Sequence, residues 1–221
     1  MRKLFSENRV FVIAYLIMLI IALALKLIYT KEELFLAVNL NHNTIADHFF
    51  KLMTHVGDGF MFIAIVIILL FVEYRKAVLA FSIYLISSQI TQFLKRVVFE
   101  NVPRPKKYFE GIQDLHLIDG VQVHNMMSFP SGHTTSAFAL ATFLTIISKN
   151  KNIGFIYLIL AILIGYSRMY LAQHFYEDVM MGSIIGILSS FVTYYFLLRT
   201  DWYNNDKLNY SLINRNYDGK I

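Results

Sequence analysis

The chain has 221 residues, 57% of them hydrophobic and only 16% charged, with a formal net charge of +5 and no cysteine. A soluble domain ordinarily carries about 25% charged residues, so an apolar excess gathered in long blocks points to a single-domain membrane protein. The lack of cysteine excludes disulfides, thiolate metal sites and a cysteine nucleophile. The basic balance implies no nucleic acid partner, because Lys and Arg gather at the ends of the apolar blocks.

A spanning helix needs roughly 20 mostly apolar residues. The pattern predicts six, at about Val10 to Tyr29, Gly59 to Tyr74, Ala77 to Phe99, Gly132 to Ser148, Ile153 to Leu171 and Asp178 to Leu198. The first block starts with Arg2, Lys3 and Arg9 like a signal peptide. It is too long for an h-region, however, and Leu27-Ile28-Tyr29-Thr30 offers no small-residue cleavage pattern, so it reads as a retained helix. Phe35, Val38, Ile45, Phe49 and Leu52 are spaced as on a short amphipathic helix at the membrane surface. The expectation is an all-α, polytopic membrane protein with six transmembrane helices plus a short amphipathic segment between helices 1 and 2. It forms one domain over residues 1–221, with a core of about residues 10–198. The tail over 199–221 is expected in the cytoplasm, polar and loosely ordered from Trp202 onward.

Charge sets the expected orientation. The N-terminus, the Arg75-Lys76 turn, the Lys149-Asn150-Lys151 turn and the tail together hold eleven Lys and Arg residues; the opposite side and its helix ends hold nine. That bias places both termini in the cytoplasm and the longer loops outside.

Three pieces of sequence on the outer side carry chemistry. In the first, Ser88, Gln92 and Lys95 form a polar stripe on the third helix, which should face the bundle interior or a wet cavity. Val102-Pro103-Arg104-Pro105 follows. In the second, Pro130-Ser131-Gly132-His133 opens the fourth helix. Ser131 is a good N-cap, Gly132 lets the backbone approach a ligand, and the free N–H groups favour an anion. An ordinary helix start with an interfacial histidine is the plain alternative. In the third, Arg168 ends the fifth helix, near the apolar zone where a charge costs about 2.5–3.5 kcal/mol at the helix centre. It calls for an anionic partner, or else snorkels to the interface. His174 and Asp178 are four apart and would share a helical face, so the carboxylate can fix the imidazole tautomer. Together these supply three cations, a helix N-terminus, two histidines and one carboxylate. That set suits a phosphate, with one histidine attacking and the other protonating the leaving oxygen. It makes no convincing metal cluster. His55 reads as capping or packing, and His116 and His124 as solvated loop residues. Gly182, Gly186 and Ser190 read as a close-packing stripe.

These residues resemble the type 2 phosphatidic acid phosphatase superfamily, which also contains bacterial acid phosphatases and vanadium haloperoxidases. Pro130-Ser131-Gly132-His133 is similar to its second motif. Ser167-Arg168, His174 and Asp178 match the third at full spacing. The first motif, a lysine followed by six residues and then Arg-Pro, is two residues longer here between Lys95 and Arg104-Pro105, so Arg96 stands as an alternative to Lys95. The resemblance implies that His174 is the nucleophile that becomes phosphohistidine, Asp178 its orienting partner and His133 the general acid. Lys95, Arg104, Ser131, Gly132 and Arg168 would bind phosphate, with no metal or other cofactor. It further implies a bacterial cytoplasmic-membrane enzyme whose substrate is a lipid phosphate or diphosphate: undecaprenyl diphosphate, phosphatidylglycerol phosphate, phosphatidic acid or a lipid A phosphate. Phosphotransfer to another acceptor, and a non-catalytic anion-binding or transport protein, are the competing readings. The sequence leaves the lipid and the oligomeric state open.

Overall fold

The computed structural model describes residues 2–214; its described elements are all helical, with no strand among them. The helices are α1 (Arg2–Glu7), α2 (Arg9–Ile28), α3 (Lys31–Asn39), α4 (Thr44–Val56), α5 (Gly59–Leu70), α6 (Tyr74–Phe93), α7 (Pro105–Tyr108), α8 (Gly132–Ile147), α9 (Gly154–Tyr170) and α10 (Tyr176–Leu197). A π-helical turn, Leu94–Val98, extends α6. Short 3-10 turns cover Lys151–Ile153 and Asp206–Asn209.

Four helical runs are long and apolar enough to cross a membrane: α2, α6 with its π-turn, the run Lys151–Tyr170 and α10. The pair α4 and α5, bent by 51°, makes a fifth if counted as one span. At 16 residues, α8 is shorter, about 24 Å against a hydrocarbon core of about 30 Å. Its position accounts for this. It is the central helix, buried on nearly all sides by α6, α9 and α10, so neighbouring protein rather than lipid surrounds it. By contrast α2 lies at the edge, burying only Phe11, Tyr15 and Ala22 and turning Ile13, Ile17, Ile20 and Leu27 outward.

The amphipathic segment departs from its predicted form. It is two helices, not one. Thr30 and Glu33 close a capping box on α3, and Asn43 starts α4 by accepting from Ala46 N at 2.9 Å. Phe35 points inward and is fully buried, whereas Ile45, Phe49 and Leu52 form an outward apolar stripe on α4. The regular spacing therefore joins residues that face opposite ways, because the chain turns between residues 40 and 43. The tail also departs. Tyr203 and Ser211 are buried, Tyr74 N donates to Tyr210 O at 2.8 Å, and Leu212 N donates to Leu70 O at 2.9 Å. Residues 202–214 thus dock beneath the α5–α6 turn instead of trailing loosely, while 215–221 lie outside the described residues.

The glycine stripe on α10 packs as expected. A Cβ at Gly182 would sit 2.7 Å from Ser131 O, and one at Gly186 would sit 2.5 Å from Thr135 O. Small residues bring the two backbones together. Substituting Gly186→Leu should lower the thermal midpoint in detergent, since overpacking costs about 1–3 kcal/mol. Leu188→Ala, on the outward face of α10, should leave it nearly unchanged. Size-exclusion after a heating series reads both.

Candidate active site

The close approach of α8 and α10 has a chemical consequence. The start of α8 carries His133, and the segment before α10 carries His174. Both line one open cavity of about 1040 Å³, which also takes in Lys95, Arg104, Gly132 and Arg168. The three pieces of sequence thus converge on one site.

Each cation reaches the site differently. Lys95 lies in the π-turn, is largely buried, and donates from Nζ to Met127 O at 2.8 Å. A π-turn holds one residue more than an α-turn, closed here by Phe99 N to Leu94 O at 2.8 Å. Lys95 faces the cavity from this turn. Its neighbour Arg96 is exposed, lies on the cavity wall and donates to Gln92 Oε1 at 3.2 Å. The Ser88-Gln92-Lys95 stripe faces cavities: Gln92 and Lys95 line the first, and Ser88 and Gln92 line a second of about 240 Å³ beside His133. Arg104, the N-cap residue of α7, donates from Nε to Met126 O at 3.1 Å and from an Nη to Gln173 Oε1 at 3.0 Å. Arg168, in the last turn of α9, donates to the Thr54 hydroxyl of α4. Its Nε is buried without a hydrogen-bond partner. Among the described residues, none of the three cations is ion-paired with a carboxylate.

Ser131 is placed differently from the expectation. It is fully buried, off the cavity wall, and its Oγ accepts from Thr134 N at 3.4 Å and from Thr134 Oγ1 at 2.9 Å. Its hydroxyl caps α8 and so aims the free N–H groups of the first turn. Gly132 is on the wall, and a Cβ there would meet only Thr91 Cγ2, at 4.0 Å. The protein itself leaves that space open.

His174 precedes α10 rather than sharing a helical face with Asp178. Asp178 is the third residue of α10, and its Oδ2 lies 3.3 Å from His174 Nδ1. The same oxygen accepts from Phe175 N at 2.9 Å. Burial first, and then Arg104, Lys95 and Arg168, hold the His174 imidazole well below its ordinary range. A ring kept neutral is one able to attack.

Some contributors escape a reading of the sequence. Gln173, a buried amide beside His174, bridges Arg104 and Gln122 O; a polar residue in the apolar run Met169 to Phe175 was the available signal. Thr54 gave no local signal, since its partner is 114 residues away. His55 and His124 also line the cavity. Partial burial, then Arg104, Lys95 and Arg168, lower the titration of His124. His116 is not a freely solvated loop residue: its Nε2 lies 2.8 Å from Asp47 Oδ1 and its ring stacks on His42 at 3.6 Å. No group of three or more His, Asp or Glu among the described residues is arranged to hold a metal.

Comparison with known proteins bears out the resemblance. The PAP2 superfamily model matches residues 76–202, a stretch holding all three motifs. Undecaprenyl-diphosphatase BcrC of Bacillus subtilis is 28% identical over 169 residues, covering 74% of this chain and 82% of that protein. Lipid A 4'-phosphatase of Porphyromonas gingivalis is 27% identical over 181 residues, covering 78% and 75%. The crystal structure of Aquifex aeolicus LpxE superposes with a TM-score of 0.65 at 30% identity, covering 74% of this chain and 93% of that one. The chain belongs to the PAP2 superfamily. It is a membrane phosphatase, a hydrolase of phosphoric esters.

The charge around His174 sets a pH prediction. Removing a nearby cation raises the imidazole pKa, so protonation of His174 begins at higher pH. The acid limb of kcat/KM in the wild type should lie below about 6.5, the ordinary imidazole value. In Arg104→Gln that limb should shift upward. A pH series of initial rates for both proteins reads the shift.

Proposed function

We propose that the chain is a metal-independent lipid phosphate phosphatase acting through a phosphohistidine on His174. One observation carries the reading: three buried cations without carboxylate partners face two histidines at a helix N-terminus. Neutral hydrogen-bond partners offset only part of the cost of burying these cations, so an anion bound among them would be favoured. The buried, unpartnered Arg168 Nε is the donor most directly available to an anion.

Lys95, Arg104, Arg168 and the N–H groups at Gly132 and His133 would receive the phosphoryl oxygens and the charge that builds on them. Ser131 would act through the helix start it caps. His174 Nε2, its other nitrogen turned to Asp178, attacks phosphorus. A P–N bond forms, the P–O bond to the lipid breaks, and His133 hands its proton to the leaving oxygen. Water then attacks phosphorus, giving its proton to His133 as the P–N bond breaks and phosphate leaves.

The substrate class rests on the membrane setting and the relatives. We read six spans, namely α2, α5 with its bent partner α4, α6, α8, α9 and α10, within one membrane-embedded domain. The basic turns lie at the far end of α8 from the cavity, where Lys151 Nζ caps Ile146 O at 2.6 Å. With both termini in the cytoplasm of a bacterium, the site opens outside the cytoplasmic membrane. The relatives named for undecaprenyl diphosphate and lipid A support a lipid phosphate or diphosphate, and phosphatidylglycerol phosphate and phosphatidic acid belong on the same panel.

His174→Ala should abolish phosphate release from purified lipid phosphates while the protein stays monodisperse in detergent. Substantial retained activity would remove the nucleophile assignment, and transfer of phosphate to an added lipid acceptor in place of water would mark a phosphotransferase. Lys95→Ala should lose about 100-fold or more in kcat/KM, as for a transition-state donor, and Arg96→Ala far less. The reverse ranking would reassign the first motif.

A further inference from the structure

Asp178 has a partner that lies in none of the three motifs. Its Oδ2 accepts from Ser128 Oγ at 2.5 Å, closer than Phe175 N at 2.9 Å or His174 Nδ1 at 3.3 Å. Ser128 is fully buried, is 50 residues away in sequence, and is not on the cavity wall. Its own N–H donates to Val102 O at 3.0 Å, next to the Arg104 segment. Three residues on, Ser131 N donates to the backbone carbonyl of Asp178 at 3.0 Å. One loop therefore grips Asp178 at both its carboxylate and its backbone.

We infer that Ser128 is a positioning residue for the reaction, its hydroxyl holding Asp178 Oδ2 in register with His174 Nδ1. The inference rests on the proposed role of His174. A carboxylate turns readily about its last torsion, which is broad and nearly two-fold. Donors converging on one oxygen stop that turn, and a hydroxyl-to-carboxylate bond is among the stronger ones available. Without it, only the Phe175 N–H fixes the oxygen. The contact to His174 is the longest of the three and the first to be lost as the group swings. The imidazole then loses the partner that fixes its tautomer.

The same loop makes positioning separable from mere packing. The carbonyls of Met126 and Met127, just before Ser128, hold Arg104 Nε and Lys95 Nζ. A collapsed loop would loosen both cations and weaken phosphate binding. Loss of the hydroxyl alone would slow chemistry and leave phosphate binding intact.

The full-length protein in detergent, with Ser128→Ala, Ser128→Thr and His174→Ala, tests this using kcat and KM on a lipid phosphate and the inhibition constant of inorganic phosphate. Ser128→Ala should lose about 10–100-fold in kcat, as when an outer partner of a functional side chain is removed, while the phosphate inhibition constant changes by less than about twofold. Ser128→Thr should recover most of the rate. An unchanged kcat in Ser128→Ala overturns the inference. So does a phosphate constant that rises in step with the lost rate and is not restored by threonine, since that describes a loop filler. If His174→Ala stays active, the nucleophile reading falls and takes this inference with it. If His174→Ala is dead and Ser128→Ala is normal, only the serine role falls.

Discussion

Three cationic side chains are buried together, and among the described residues none is ion-paired with a carboxylate. That is the costly feature of this molecule, and much of the surrounding structure manages it. Neutral oxygens stand in for counter-ions: the carbonyls of Met126 and Met127, the amide of Gln173 and the hydroxyl of Thr54. Such partners satisfy individual N–H groups but leave the net charge in place. The site is therefore built to gain most when an anion with several oxygens binds. The N-terminus of α8 adds to the same field, because its dipole is positive at that end.

The positive field also shapes the chemistry of His174. It holds the imidazole in its neutral form, the form that the proposed attack on phosphorus requires. On the proposed phosphohistidine route the ring would become cationic, and Asp178, 3.3 Å from Nδ1, is the group placed to answer that change. On that proposed route, charge repulsion would preserve the attacking form and the carboxylate contact would stabilise what the attack creates.

Bringing these groups together depends on helix packing. The approach of α10 to α8 is set by Gly182 and Gly186, where a methyl group would strike backbone at 2.7 and 2.5 Å. The bend between α4 and α5 lets Thr54 reach Arg168, with Gly57 set against Ile164 and the carbonyl of His133. Both devices lie away from the reacting atoms, yet each fixes where a functional side chain ends up.

The sequence by itself determined an all-helical chain with several apolar spans, and it offered the three motifs with their cations and histidines. Those features are written in local composition, in a 3.6-residue period or in short spacing; the start of α8 at Gly132 is an instance. Tertiary structure alone decided what depends on partners far apart along the chain. It split the amphipathic segment, turning Phe35 inward and Ile45 outward. It docked the tail against Leu70 and Tyr74, and it kept Ser131 off the cavity wall, leaving it the capping role alone. It joined Ser128 to Asp178 and Thr54 to Arg168 across 50 and 114 residues. A periodic pattern shows that a face will be buried. It does not show which distant group will meet that face, because that choice follows from how whole helices pack.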